Sequence, residues 1–183
     1  MSKLHRLLTE CRVISVATSR FNNETWEENH KYRDANTNIA CIYGVPQQLS
    51  DKIFMDSPVF VLEMNNSKNK IEGVGLIRNM VMCDKYYRVY EKGNYNRYVY
   101  SGKYRIDRKT MESTSPHIVK IIDHILFKEK THMKRGSGIT LVPEKLLKHP
   151  VCQGFVIVDE LIKMFKDRYP QTPSPISETR LGN

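Results

Sequence analysis

The chain has 183 residues, of which 40% are hydrophobic, a length and composition that suit one domain with a sizeable buried core. Its formal net charge of +9 and isoelectric point of about 9.4 favour a polyanionic partner, which could be nucleic acid, an anionic membrane surface or an acidic protein. Four singly placed cysteines argue against a disulfide framework and a paired-ligand zinc site, and no stretch approaches the roughly 20 apolar residues of a transmembrane helix.

The first third of the chain alternates short apolar patterns with polar segments. In residues 3–20, LHRLL favours a short helix and RVISVAT favours a strand. This basic start lacks the long apolar segment of a secretory signal, so we expect an intracellular protein, cytoplasmic or nuclear. The polar residues 21–38 predict a loop, the apolar run in residues 38–46 predicts a short buried strand, and LSDKI at residues 49–53 predicts one helical turn.

The clearest pattern in the sequence is a β-hairpin at residues 57–80. SPVFVLEM is a continuous run of β-branched and aromatic residues, NNSKNK has the composition of a turn, and KIEGVGLIRNM is the returning strand. Gly73 and Gly75 in the second strand predict a bulge or a close approach of another backbone.

The second half of the chain predicts strands followed by helices. RYVYSGKYRI, residues 97–106, predicts two strands around a turn. Residues 117–129 have the apolar spacing of a helix, although their β-branched residues leave a strand open for part of the segment. We expect a basic glycine-containing loop at 131–140, helices at 143–150 and 158–169, one domain over residues 1–169, and a disordered tail at 170–183. The predicted fold class is α+β, with a small curved β-sheet or barrel covered by helices.

The segment from Tyr86 to Lys109 has a composition typical of nucleic-acid binding. Seven tyrosines are interleaved with lysines and arginines, and only Glu91 and Asp107 oppose the positive charge. Cations neutralise phosphates, and flat aromatic rings stack on unpaired bases. Tyrosine is also a good strand residue that packs well across a sheet, which explains any single one of these tyrosines without a ligand.

Two loops supply further candidate contacts. In KRGSGIT, Lys134 and Arg135 stand beside glycines whose backbone N–H groups could face a phosphate, although the loop is not a P-loop and could be a solvated turn. In MNNSKNK, Asn65 and Asn66 could offer amides to a base edge, although such runs are common in hairpin turns.

The sequence holds no recognised catalytic or metal motif, so we expect a protein without enzymatic activity, cofactor or metal. His117 and His124 share a helix face but lack a third ligand at a suitable spacing. The alternative enzyme is a metal-dependent nuclease, in which Asp56 and Glu63 would act with the lysines that follow them. Such nucleases have an acid and a lysine two residues apart on one strand, and Glu63 is followed by Met64 and Asn65 instead.

The hairpin resembles the central hairpin of the PUA-like superfamily, and of YTH and EVE domains in particular. The whole resemblance covers about residues 36–145. In those domains a strand like PVYLLF is followed by a turn and a strand like CGVAEM; here the strands read PVFVL, from Pro58, and GVG, from Gly73. YTH domains then have W-x-x-x-x-W-K-G-[RK]-F-x-V, which is similar to YNRYVYSGKYRI here. Tyr95 and Tyr100 stand where the two tryptophans would be.

The resemblance implies a PUA-like domain that binds nucleic acid, with a pocket for a modified or flipped base. No tryptophan stands at a cage position, so specificity for a methylated adenine is not implied, and Tyr43 would stand near the facing wall. We expect a non-enzymatic nucleic-acid reader, with RNA favoured over DNA and no membrane partner; the alternatives are the nuclease and a basic protein-interaction or structural component. The predicted nucleic-acid-binding residues are Tyr43, Asn65, Asn66, Tyr95, Arg97, Tyr98, Tyr100, Lys103, Arg105, Arg108, Lys134 and Arg135.

Overall fold

The computed structural model describes residues 1–11, 13–128 and 130–171 of the chain. The helices are α1 (Lys3–Glu10), α2 (Asn23–Ala35), α3 (Arg108–Thr114), α4 (Pro116–Asp123), α5 (Glu144–Leu147) and α6 (Ile157–Arg168). The strands are β1 (Ser15–Phe21), β2 (Cys41–Val45), β3 (Pro58–Asn65), β4 (Lys70–Arg78), β5 (Tyr98–Gly102), β6 (Tyr104–Asp107) and β7 (Thr140–Leu141). No helix in these described ranges is long and apolar enough to cross a membrane.

The strands form two open sheets, and this confirms the α+β fold class but not the barrel. Five strands pair in the order β6-β4-β3-β1-β7, and β2 pairs with β5 in a separate two-stranded sheet. Only β1 and β3 run parallel; the other pairs are antiparallel. The expected barrel is wrong for the described residues because the edge strands β6 and β7 do not pair with each other.

The central strand β3 explains how the layers are arranged. All eight of its residues are buried, and successive side chains point to opposite faces of the sheet. Phe60 and Leu62 enter the core formed with α1, α4 and α6, where the Phe60 and Phe165 rings lie 5.1 Å apart. Val59 and Val61 enter a second core with β2, β5 and Trp26 of α2. The five-stranded sheet is therefore covered by helices on one face and by the small sheet and α2 on the other.

The predicted hairpin is confirmed as β3 and β4, and both roles expected of its glycines are present. The β3–β4 register shifts between Leu62 and Met64, so Glu72 and Gly73 of β4 form a bulge opposite Glu63. A Cβ atom on Gly75 would lie 2.1 Å from the Tyr43 hydroxyl oxygen, so the missing side chain lets the small sheet approach β4.

Two other predictions from the first third of the chain are wrong. Residues 21–38 contain helix α2 rather than a loop. Its start is a capping box, in which the Asn22 side chain accepts from the Thr25 N–H at 2.8 Å and the Thr25 hydroxyl accepts from the Asn22 N–H at 3.1 Å. Residues 49–53 form a hydrogen-bonded turn and not a helical one.

The predicted strands of 97–106 are confirmed, but they belong to different sheets, since β5 pairs with β2 and β6 pairs with β4. The segment 117–128 is helical, as α4 followed by a π-helical turn, and the short helices α5 and α6 are also confirmed. Residues 172–183 of the predicted tail lie outside the described residues.

Candidate nucleic-acid-binding site

A small cleft opens where the parallel strands β1 and β3 end. The carboxyl ends of parallel strands meet at one edge of a sheet, and here the N–H of Asn66, just after β3, donates to the Phe21 carbonyl at 2.7 Å. The space measures about 220 Å³. We call it the strand-end cleft; it is lined by Ser19, Arg20, Phe21, Asn22, Thr25, Gly44, Val45, Pro46, Asn66, Tyr90, Tyr95, Gly136, Ser137 and Gly138.

Arg20 provides the positive charge of the strand-end cleft. Its Nε donates to the carbonyl of Met133, and its Nη1 donates to the Thr140 hydroxyl at 3.1 Å. These bonds join β1 to the glycine-containing loop. Burial lowers the pKa of Arg20. No carboxylate forms an ion pair with this guanidinium among the described residues, so its charge is available to an anionic ligand.

The glycine-containing loop closes one side of the strand-end cleft with its backbone. Gly136 has φ of +101° and Gly138 has φ of +75°, conformations that favour glycine. A Cβ on Gly136 would lie 3.7 Å from the guanidinium carbon of Arg20, so the loop passes close to that cation. The Asn66 amide holds the loop, because its Nδ2 donates to the Lys134 carbonyl at 2.9 Å.

Asn66 also presents an unsatisfied acceptor. Its Oδ1 is enclosed and accepts no hydrogen bond in the part of the chain that the structure describes. A buried polar atom without a partner is uncommon in folded proteins, and a ligand or an ordered water is the usual explanation. The same residue lines the strand-end cleft.

Tyr95 and Tyr90 form the aromatic wall of the strand-end cleft. Tyr90 is buried, and its hydroxyl accepts from the Asn29 amide of α2 at 3.0 Å. The half-buried Tyr95 ring packs edge-to-face on it, at 6.2 Å between centroids and 85° between planes. Gly44 permits this arrangement, because a Cβ there would lie 2.3 Å from the Tyr95 carbonyl oxygen.

The structure brings some of the predicted binding residues together and separates others. Asn66 and Tyr95 line the strand-end cleft, and Lys134 and Arg135 lie in its glycine-containing loop, just before Gly136. Asn65 is fully buried; its side-chain Nδ2 donates to the Glu72 carboxylate and its Oδ1 accepts from the Ser67 N–H.

Tyr43 and Tyr100 are buried rather than facing a ligand. They are cross-strand partners in β2 and β5 and expose 0% and 1% of their surface. The Tyr100 hydroxyl accepts from the Leu49 N–H at 3.1 Å, so both ends of its side chain are inside the protein. A base could reach neither ring in this structure.

Three more predicted residues lie outside the strand-end cleft. The exposed Arg97 guanidinium packs on the Tyr98 ring, at 5.5 Å from its centroid. Lys103 lines a separate groove beside α1. These residues add positive charge or aromatic surface to the molecule but do not line the strand-end cleft.

Arg105 and Arg108 are held in ion pairs. Arg105 bonds both oxygens of Glu63, with Nη2 to Oε2 at 2.7 Å and Nε to Oε1 at 3.0 Å, and the Tyr43 hydroxyl donates to the same carboxylate at 2.8 Å. Burial acts to lower the pKa of Arg105, but the Glu63 charge outweighs it and the pKa is raised. Arg108 pairs with Asp123 at 2.8 Å.

The residues of the nuclease alternative do not converge. Asp56 precedes β3 and pairs with Arg78 at 2.9 Å, whereas Glu63 lies near the other end of the strand, with its oxygens bonded by Arg105 and Tyr43. Within the described ranges, no group of three or more His, Cys, Asp or Glu side chains could hold a metal ion.

Two features of the strand-end cleft, Arg20 and the start of α2, were not predicted from the sequence. In the sequence, Arg20 is one of many cations and ends a segment that could be a helix or a strand. No neighbouring residue indicates that it bonds a loop more than 100 residues later in the chain. The start of α2 did carry a signal, since Asn22 and Thr25 have the spacing of a helix cap. Comparisons of the chain with protein-family models, with curated proteins and with solved structures found no match.

Proposed function

We propose that the protein is a non-enzymatic reader of single-stranded nucleic acid, RNA before DNA, and that one base enters the strand-end cleft. The observation that carries the proposal is that Asn66, Tyr95 and Arg20 line one small space, and that the Asn66 Oδ1 has no hydrogen-bond partner among the described residues. An acceptor, an aromatic ring and a cation in one small space match the N–H edge, the flat face and the phosphate of a nucleotide.

The size of the strand-end cleft supports one base rather than a larger ligand. Its volume of about 220 Å³ is below the roughly 300 to 1,000 Å³ of pockets for drug-sized molecules. In the proposed complex, Tyr95 stacks on the base and Asn66 accepts a hydrogen bond from it. Arg20, Lys134 and Arg135 attract the adjoining phosphates, as expected for a basic protein.

A PUA-like fold is part of the same proposal. It is supported by the β3–β4 hairpin, which lies on the residues that resemble the PUA-like pattern, and by Tyr95, which stands at one of the tryptophan positions and lines the strand-end cleft. Because Tyr43 and Tyr100 are buried, the proposal includes one aromatic wall and not a complete cage.

Fluorescence-anisotropy titrations of the purified protein test the proposal. Matched single-stranded RNA, single-stranded DNA and duplex are compared at two salt concentrations, with and without a methylated adenine in each single strand. We expect Tyr95→Ala to weaken single-strand binding by about 5- to 150-fold, the equivalent of the ~1–3 kcal/mol of one base–aromatic stack, even at the higher salt.

The matched control is Tyr86→Ala, since Tyr86 is 68% exposed and does not line the strand-end cleft. That variant should bind like the unaltered protein. Equal affinities for Tyr95→Ala and the unaltered protein, with all binding lost at higher salt, would contradict the proposal and favour an acidic protein as the partner of the basic surface.

A further inference from the structure

A second cavity, separate from the strand-end cleft, lies between α2, β4, β6 and α3. It measures about 470 Å³, and Trp26 stands in its wall. We call it the Trp26 cavity. Its walls also carry six basic side chains, which are His30, Arg33, Lys70, Arg105, Arg108 and Lys109.

The walls of the Trp26 cavity also carry acidic side chains. There are three, and each is bonded to a particular partner: Glu72 to Lys68, Asp107 to the backbone of Thr110, and Glu112 to Arg108. Arg105 is compensated by the buried Glu63, and Arg108 has Asp123 as a second partner.

Three cations in the walls remain without a counter-ion. Arg33, Lys70 and Lys109 form no ion pair with any described residue. Arg33 donates from Nε to the Asn29 amide oxygen at 2.9 Å, but its enclosed Nη2 finds no acceptor within the described ranges. Burial, together with the neighbouring charge of Arg105, lowers the pKa of Arg33. A positive charge is therefore held partly buried beside an open space.

Trp26 holds the two guanidiniums of the cavity wall in place. The guanidinium carbons of Arg33 and Arg105 lie 5.3 Å and 5.6 Å from the Trp26 ring centroid, within the range of cation–π contacts. The Trp26 and Phe21 rings pack edge-to-face with centroids 5.1 Å apart, which holds the indole against the sheet. Ordered guanidiniums lose less side-chain entropy when they bind a ligand.

We propose that the Trp26 cavity binds a phosphoryl group. A tetrahedral oxyanion can accept several charge-assisted hydrogen bonds from a guanidinium and from lysines, and it supplies the negative charge that Arg33, Lys70 and Lys109 lack. The phosphoryl group can belong to the 5′ end of a nucleic-acid strand or to a free nucleotide. The Trp26 cavity shares no lining residue with the strand-end cleft, so phosphoryl binding there is independent of the cleft.

Trp26 supplies a direct readout, because it is the only tryptophan in the chain. Its fluorescence is followed while inorganic phosphate is added at constant ionic strength, and potassium chloride serves as the control titration. We expect a saturable change with phosphate and none with chloride. No saturable change with phosphate, or the same change with both salts, would overturn the proposal.

Two variants and one control locate the binding site. Arg33→Gln should weaken the phosphate response at least tenfold, and the double variant Lys70→Gln/Lys109→Gln should do the same without touching the Arg33–Asn29 bond. The double variant also decides the test if Arg33→Gln fails to fold. The control is Lys145→Gln, because Lys145 is an exposed residue of α5 that does not line the Trp26 cavity; this variant should respond like the unaltered protein. Unchanged affinity in the double variant would overturn the proposed site.

A final comparison separates the two sources of the phosphoryl group and the two proposals. In a Tyr95→Ala background, an oligonucleotide with a 5′-phosphate should bind more tightly than its 5′-hydroxyl form if the site takes strand ends, whereas displacement by a mononucleotide alone supports the free ligand. If neither effect is observed, the proposed phosphoryl site is wrong. If nucleic-acid binding depends on Tyr95 but the protein shows no phosphate response, the proposed reader function is supported and only the phosphoryl site is wrong.

Discussion

At the scale of single residues, the ion pair between Glu63 and Arg105 is the most consequential contact of the second core. The Glu63 side chain is 0% exposed and that of Arg105 is 12% exposed. Removing one partner of a buried pair leaves an uncompensated charge, which costs roughly 3–5 kcal/mol. We therefore expect Glu63→Gln to lower the free energy of unfolding by about that amount, as measured by urea denaturation at neutral pH.

The control for this prediction is an exposed ion pair in the same protein. Arg78 and Asp56 are paired with side chains that are 46% and 48% exposed. Exposed pairs contribute roughly 0–1 kcal/mol, so Asp56→Asn should have a small effect. Similar losses for the two variants would mean that burial of the Glu63 carboxylate is not what makes its pair important.

At the scale of elements, the approach of the small sheet to β4 depends on a missing side chain. A methyl group at Gly75 would lie 2.1 Å from the Tyr43 Oη and 2.7 Å from the Cys41 Sγ, so the two sheets would have to separate. Overpacking of this kind costs roughly 1–3 kcal/mol or more. We expect Gly75→Ala to lower the thermal unfolding temperature markedly, as measured by circular dichroism.

Gly93→Ala is the matched control for the packing of the two sheets. Gly93 starts the short 3₁₀ segment before β5, and the nearest atom to an added Cβ is the Tyr86 Oη at 3.9 Å, an ordinary contact distance. This variant should unfold at nearly the same temperature as the unaltered protein. If both glycine variants are equally destabilised, the close approach at Gly75 is not the cause.

At the scale of the whole molecule, the second core makes stability depend on alkaline pH. Burial raises the pKa of the Cys41 thiol from 9.0 to about 12, and burial followed by the Glu63 charge raises the pKa of the Tyr43 phenol well above 10.0. Both groups stay protonated in the folded state after they ionise in the unfolded state. The unfolded state then binds fewer protons, so stability falls as pH rises.

We expect the free energy of unfolding to be constant below about pH 9 with respect to these two groups and to decline from there towards pH 12. Urea denaturation at a series of pH values measures the decline. Thiol labelling provides the control, since the exposed Cys83 should react quickly at pH 8 and the buried Cys41 should be protected. Rapid labelling of both thiols in the native protein would contradict the buried, protonated state.

The segments that the sequence predicted well are those whose local pattern agrees with their final environment. The β3–β4 hairpin is apolar throughout because both faces of β3 are covered, and a turn composition separates its strands. Helix α2 was missed because, among its residues, only Asn29 is fully buried, and polar side chains cover most of its surface. The cap formed by Asn22 and Thr25 was a usable signal of a helix start, but the polar composition of the segment favoured a loop.

The sequence by itself determined the α+β class, the central hairpin, the basic character of the surface and the glycine-containing loop, because each of these depends on neighbours in the chain. Only the tertiary structure decided which aromatic and basic residues share a site. It buried Tyr100 and left Tyr95 at a cleft, although the two are five residues apart. It also joined Arg20 to Met133 and Trp26 to Arg105. Such contacts follow from the order of strands in the sheets and the packing of α2, which no local pattern encodes.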